Sequence, residues 1–147
     1  MATSADREFL ATLAHRLADF DRPEWRSQKE IADGDRRALF DALDHPQAGT
    51  ELFVAELDGV RAGCLLMWTL EDYFSQQWHA HVSVIAVTKD AEGAGVGRAL
   101  MAHAEEWARA HGQTSITLSV FEGNRRAQAL YQRAGYTTEM RRMIKRL

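Results

Sequence analysis

"VIAVTKDAEGAGVGRALMAHAEEWA", residues 84–108, passes from a β-branched run through glycines at alternate positions, Gly93, Gly95 and Gly97, into strong helix formers. Glycine in regular structure costs about 0.5–1 kcal/mol per position, so a cluster of it implies a use for free backbone, either a tight turn or close approach to a ligand. A glycine loop at a helix N-terminus gathers unpaired N–H groups and the positive end of the helix dipole at one spot, which suits an anionic phosphate. The alternative is a strand-to-helix turn that needs glycine for its geometry alone, and the rest of the chain has to choose. Leu100, Met101, Ala104, Trp107 and Ala108 recur at helical spacing, so a helix is expected over 97–110, with Gly112 as its stop.

Working outward, "HAHVSVIAV" (79–87) reads as the strand that feeds the loop. "ELFVAEL", Asp58-Gly59 and "RAGCLLMWTL" read as a hairpin with an Asp-Gly turn. Upstream, Phe9, Leu10, Leu13, Leu17 and Phe20 mark an amphipathic helix over 6–20. Ile31, Leu39, Phe40 and Leu43 mark a second over 30–43, interrupted by Gly34. Downstream, "SITLSV" (115–120) reads as a strand, Asn124 as the cap of a short helix ended by Gly135, and "EMRRMIKRL" (139–147) as a closing strand. The expected order is ααβββαβαβ: an α/β protein, more narrowly an α+β arrangement, with helices on a mixed sheet.

The chain has 147 residues, is 46% hydrophobic and carries a formal charge of −3, which fits one globular domain over 1–147 and argues against a general nucleic-acid binder. Arg141, Arg142, Lys145 and Arg146 cluster near the end and read as a solvated strand face. Cys64 is the lone cysteine, set in the apolar run "GCLLMW", so it reads as a buried thiol and no disulfide framework is expected. No apolar run suggests a signal peptide or a membrane span, so a cytoplasmic protein with no membrane partner is expected. The two common nucleotide motifs fail. A P-loop needs Lys-Ser/Thr where Arg98-Ala99 stands. A dinucleotide fingerprint needs G-x-G-x-x-G and an acidic residue about twenty positions on, where Thr117 sits.

What the stretch resembles is the GNAT superfamily of N-acyltransferases, in which a strand leads to Q/R-x-x-G-x-G/A at the head of a long helix. A second signature of that family, N-x-x-A-x-x-L-Y-x-x-x-G-F/Y, is met in full by "NRRAQALYQRAGY", residues 124–136. The resemblance covers residues 51–136 and is weaker before them. Many members open with a strand ahead of an Ala-Thr-x-x-Asp turn. Here the chain starts at Ala2-Thr3, so that first strand is expected to be missing. Glu92 departs from the family's Gln or Arg, and Ala94 from a position where a basic residue is common. A carboxylate there should repel a diphosphate, although backbone N–H contacts do not depend on the side chain.

The resemblance implies acetyl-CoA as co-substrate and no metal, with the diphosphate on the loop formed by Glu92, Gly93, Ala94, Gly95, Val96, Gly97 and Arg98. It also implies pantetheine running beside Ile85, Ala86 and Val87, a further contact from Asn124, and an N–H near Val87 supporting the developing oxyanion. Direct transfer to an amine needs a base and an acid. His81 stands where several members carry their carboxylate base, and His79 shares its strand face. Both have a plain reading as edge-of-sheet residues. A metal pair finds no third ligand at suggestive spacing. Tyr131 matches the tyrosine that protonates the departing thiolate, its plain reading being a core tyrosine.

By the same resemblance the acceptor lies among Trp25, Trp68, Glu71, Asp72, Tyr73, Phe74 and Trp78, whose carboxylates and aromatics suit a cationic amine on a small molecule, a peptide or a protein. A closing edge strand would invite a homodimer. A non-catalytic acyl-CoA-binding module is the alternative to the enzyme, motivated by Glu92 and the short N-terminus.

Overall fold

The computed structural model describes all 147 residues. A 3-10 turn (Ser4–Asp6) leads into α1 (Arg7–Leu17) and α2 (Gln28–Asp44), then β1 (Thr50–Leu57), β2 (Val60–Glu71), β3 (Trp78–Val87), α3 (Val96–Ala110), β4 (Ile116–Leu118) and α4 (Arg125–Arg133). The sheet order is β1-β2-β3-β4, with the first two pairings antiparallel and β3–β4 parallel. The mixed sheet and its flanking helices agree with the expected fold class. Asp58 and Gly59 turn the β1–β2 hairpin with φ of 52° and 78°, the left-handed pair that a tight hairpin turn demands.

Two layers cover the sheet. Leu65, Met67, Ala80 and Val82 meet Leu100, Met101, Ala104 and Trp107 of α3 on one face. Leu52, Cys64, Leu66, Val84 and Ala86 meet Leu10, Leu13 and Ala14 of α1 and Leu39 of α2 on the other. Strand alternation puts every second residue on one face, yet Val82 and Val84 belong to different layers. The cause is a bulge. Met67 faces Val82 and Leu66 faces Val84, so Ser83 is an extra residue that turns β3 over. β4 stops at the same level, its last pair being Val82 with Leu118. Beyond it, the 83–87 half of β3 has no neighbour on that side.

Two expectations change. Residues 137–147 form no strand; Met140, Met143 and Ile144 are exposed, and this segment has no strict apolar alternation to hold it on a sheet. The edge-strand argument for a homodimer loses its basis with it. At the other end, Ala2 N–H donates to the Leu52 carbonyl of β1 at 2.8 Å. Thr3 and Asp6 then close a capping box, and Arg61 Nε reaches Asp6 at 2.7 Å.

Candidate functional site

The glycine loop carries its predicted geometry. Gly93 and Gly95 have φ of 77° and 86°, a region that β-carbon-bearing residues seldom enter, and Gly95 caps α3. Ala91, Glu92, Ala94 and Ala99 donate their N–H groups to backbone carbonyls. The N–H groups of Gly93, Gly95, Val96, Gly97 and Arg98 donate to none, leaving them and the helix dipole aimed outward together. Gly97 serves a different need: a β-carbon there would stand 3.3 Å from Leu130 Cδ2 of α4, so its absence lets α3 pack close.

The unpaired end of β3 borders this loop. Thr88 N–H donates to the Ala62 carbonyl of β2, so alternation points the polar groups of Val87 and Ile85 away from β2, into the gap left by β4. Ala86 turns the opposite way and is buried with the α1 layer. The Val87 carbonyl accepts from Arg16 Nε at 2.7 Å. The same guanidinium pairs with Glu92, and Glu92 also pairs with Arg126.

Arg16 and Arg126 are residues that sequence reasoning missed. They converge because the chain after α1 lies against the turn before α4. Phe20 and Phe121 rings sit 5.1 Å apart, and a β-carbon on Gly123 would fall 1.9 Å from the Asp21 carbonyl. Asn124 Oδ1 accepts from Ala127 N–H at 3.1 Å, so its cap role is filled.

His79 and His81 precede the bulge and face the α1–α2 layer. His81 stacks on Trp68 with ring centroids 5.9 Å apart, and its Nδ1 lies 2.9 Å from Thr117 Oγ1. Thr117 Oγ1 in turn lies 3.4 Å from the Ala80 carbonyl, a partner that can only accept. With the hydroxyl proton directed there, Nδ1 carries the hydrogen to Thr117 and Nε2 keeps its lone pair. Burial, with a smaller push from His79, lowers the His81 pKa below its usual value, so the ring is neutral at neutral pH.

Tyr131 lies on the other side of the sheet, buried among the α3 layer. Its hydroxyl makes no hydrogen bond within the chain, and burial pushes its pKa up to about 12, which keeps the proton on oxygen. A single ligand that touched both His81 and Tyr131 would have to pass through the gap where β4 ends. Tyr136, at 6.2 Å between ring centroids from Tyr131, is also raised to about 12, chiefly by burial.

The remaining acceptor candidates scatter. Tyr73, Phe74 and Trp78 stand exposed at the β2–β3 tip, and Trp25 is exposed in the α1–α2 loop. Glu71 is exposed beside them. Asp72 is engaged by its own turn: Oδ1 accepts from Phe74 N–H, Ser75 N–H at 2.7 Å and Ser75 Oγ at 2.8 Å, and Ser75 holds its pKa down.

Two further groups qualify the picture. Asp35 sits on the inner stripe of α2 between buried Ile31 and Leu39 with no ion-pair partner, and burial raises its pKa to about 6. Cys64 is buried, and that burial raises its thiol to about 12, which rules out a ready nucleophile. No group of three or more His, Cys, Asp or Glu side chains is placed to hold a metal ion, and no helix is long and apolar enough to cross a membrane.

The model of the acetyltransferase (GNAT) family matches residues 14–136, a span that contains the loop, both histidines, Tyr131, Arg16 and Arg126. No curated protein matches the chain. Among solved structures, a putative acetyl transferase from Pyrococcus furiosus superposes with a TM-score of 0.75 at 26% identity, over 98% of this chain and 95% of that one. A ribosomal-protein-alanine N-acetyltransferase from Brucella melitensis biovar Abortus 2308 gives 0.71 at 18% identity, over 99% and 96%. An aminoglycoside N-acetyltransferase solved in complex with CoA gives 0.71 at 17% identity, over 99% and 91%.

Proposed function

Because the chain belongs to the GNAT acetyltransferase family, we propose that it transfers an acetyl group from acetyl-CoA to a primary amine by direct attack within a ternary complex, residues 1–147 acting as one domain. The observation that carries this reading is the group of unpaired N–H groups of Gly93, Gly95, Val96, Gly97 and Arg98 at the mouth of α3, beside the free edge of β3. The loop amides hold the diphosphate, and the pantetheine runs beside residues 85–87, pairing with the outward N–H and C=O groups of Ile85 as a strand would be paired. The thioester then lies where β3 and β4 part.

The residues around that gap divide the proton work. An amine of ordinary basicity, pKa about 10.4, arrives protonated and must lose a proton before attack. His81 Nε2 takes it, directly or through water, while Thr117 fixes the ring through Nδ1. Tyr131 gives its proton to the departing thiolate from the opposite side of the sheet, and the second proton, shed by the acylated nitrogen, returns through water to the phenolate. The Val87 N–H lies on the edge where the carbonyl oxygen gains charge, and supports it there. The acceptor is a cationic amine on a small molecule, a peptide or a protein, met by Trp68, Trp78 and Glu71 at the β2–β3 end of the sheet. A lone buried thiol suits a reducing, cytoplasmic setting.

The test is thiol release from acetyl-CoA across a panel of amines, run beside calorimetry for CoA. Turnover on at least one amine with one CoA bound per chain is expected. CoA binding with no turnover on any amine would assign the chain to the non-catalytic acyl-CoA-binding class.

A further inference from the structure

Glu92 is one of two positions at which the loop departs from the family signature, and it directly precedes the open amides in the chain. It is not a lone negative charge. Arg16, from the last turn of α1, and Arg126, from the first turn of α4, both pair with Glu92 Oε1. Two guanidiniums around one carboxylate leave net positive charge beside the N–H groups of Gly93 and Gly95. Carboxylate and phosphate offer a guanidinium the same forked acceptor geometry, and phosphate brings more charge.

The two arginines differ in freedom. Arg16 is held a second time, through Nε on the Val87 carbonyl, and its side chain is 23% exposed. The Arg126 side chain is 62% exposed and makes no other ion pair.

We propose that Glu92 is an internal anion of the donor site: it holds Arg16 and Arg126 beside the loop until a ligand diphosphate displaces it, and so sets how tightly the donor binds. This rests on the reading of the 92–98 loop as the donor site. It adds two cationic ligands from segments far apart in sequence, and a competitor built into the loop. With no donor bound, the Arg16–Glu92–Arg126 contact ties α1 to α4 across the loop. On binding, Arg16 swings its outer nitrogens from Glu92 to phosphate while Nε stays on Val87, and Arg126 follows.

The sign of one substitution separates this from a scaffold role. If Glu92 competes, E92Q tightens CoA. If Glu92 merely braces the arginines, E92Q loosens them and weakens CoA. The experiment is calorimetry on the full chain at fixed ionic strength, with CoA and with pantetheine, the uncharged part of the same molecule, as probes. E92Q is expected to bind CoA about tenfold more tightly, the scale of one charge-assisted hydrogen bond, with pantetheine unchanged. R16Q is expected to bind CoA about tenfold more weakly on the same scale, and in the double variant the gain from losing Glu92 shrinks.

CoA binding to E92Q that is equal to or weaker than wild type overturns the proposal, as does a gain that appears equally with pantetheine. Should E92Q not fold, R126Q on the exposed partner carries the test: weaker CoA with unchanged pantetheine supports it, and unchanged CoA overturns it. Wild-type protein that binds no CoA at all removes the donor-site reading and this proposal together. CoA bound by wild type without tightening in E92Q removes the proposal alone.

Discussion

The loop at 92–98 and the hairpin tip at 71–78 make opposite use of the chain. The loop works through backbone: Gly93 and Gly95 in left-handed conformations, and N–H groups left free by the start of α3. The tip works through side chains, with Tyr73 and Phe74 83% and 80% exposed on a turn that Asp72 holds by its own hydrogen bonds. A backbone site demands particular residues at particular spacing, so it leaves a pattern in the sequence. A side-chain site on an exposed turn can be built from many residues, and it specifies a partner rather than a fold.

The substitution expected to act most strongly probes the chemistry between the two regions. Tyr131→Phe should lower kcat by about 10²–10⁴-fold, the range for loss of a general acid, while CoA affinity holds because only a hydroxyl is removed. Unchanged kcat would mean that solvent protonates the thiolate.

His81→Ala should cost about 10²-fold in kcat/KM and abolish the acidic limb of its pH profile. That limb should fall below the usual histidine value of 6.5, because burial lowers the His81 pKa. His79→Ala is the control. If it alone removes the limb, the base is assigned one strand repeat too far along.

The third substitution sets the two regions directly against each other. Gly95→Val, at φ of 86°, should weaken CoA by about tenfold or more, the strained backbone costing about 1–3 kcal/mol, whereas Tyr73→Ala should leave CoA untouched and change KM for the amine alone. A fall in melting temperature as complete as the loss of CoA would mark the glycines as turn geometry and nothing else.

The smallest effect lies outside both regions. Asp35 is raised from 3.8 to about 6 by burial, so the folded protein binds its proton more strongly than the unfolded chain does. Its stabilising contribution is full below pH 3.8 and is lost as pH rises through about 6. Asp35→Asn should therefore raise Tm above pH 6 by about 2–4 °C, a modest gain because solvent still reaches the carboxyl, with little change below pH 4. Melting curves across that range decide it.

Legibility followed the same division. The α3 face is legible from its spacing apart from Val96 at its start, and the Asp-Gly turn, the Asn124 cap and the glycine stops are legible from local chemistry. Those features depend on residues within a turn or two of one another. Arg16 was not legible, since its partner Val87 lies 71 positions away and a lone arginine at a helix end signals nothing. Arg126 stood inside a matched motif at a position the motif leaves open. Thr117 entered only as the residue that failed a nucleotide fingerprint, yet it orients His81. The 139–147 strand was expected from its position in the order and its basic residues, without the alternation that would have secured it on the sheet.

The extra residue at Ser83 acts as a phase marker. Read straight through, the alternation of β3 assigns half its side chains to the wrong layer, because the strand changes parity midway. Ser83 absorbs that change of parity and contributes no side chain to either core. A chain lacking Ser83 would run from Val82 to Val84 in unbroken alternation, with the histidines still on the α1 layer and Val84 and Ala86 still in it. The deletion should therefore keep a cooperative melting transition and remove only the local kink and added twist that the bulge gives β3 where β4 ends.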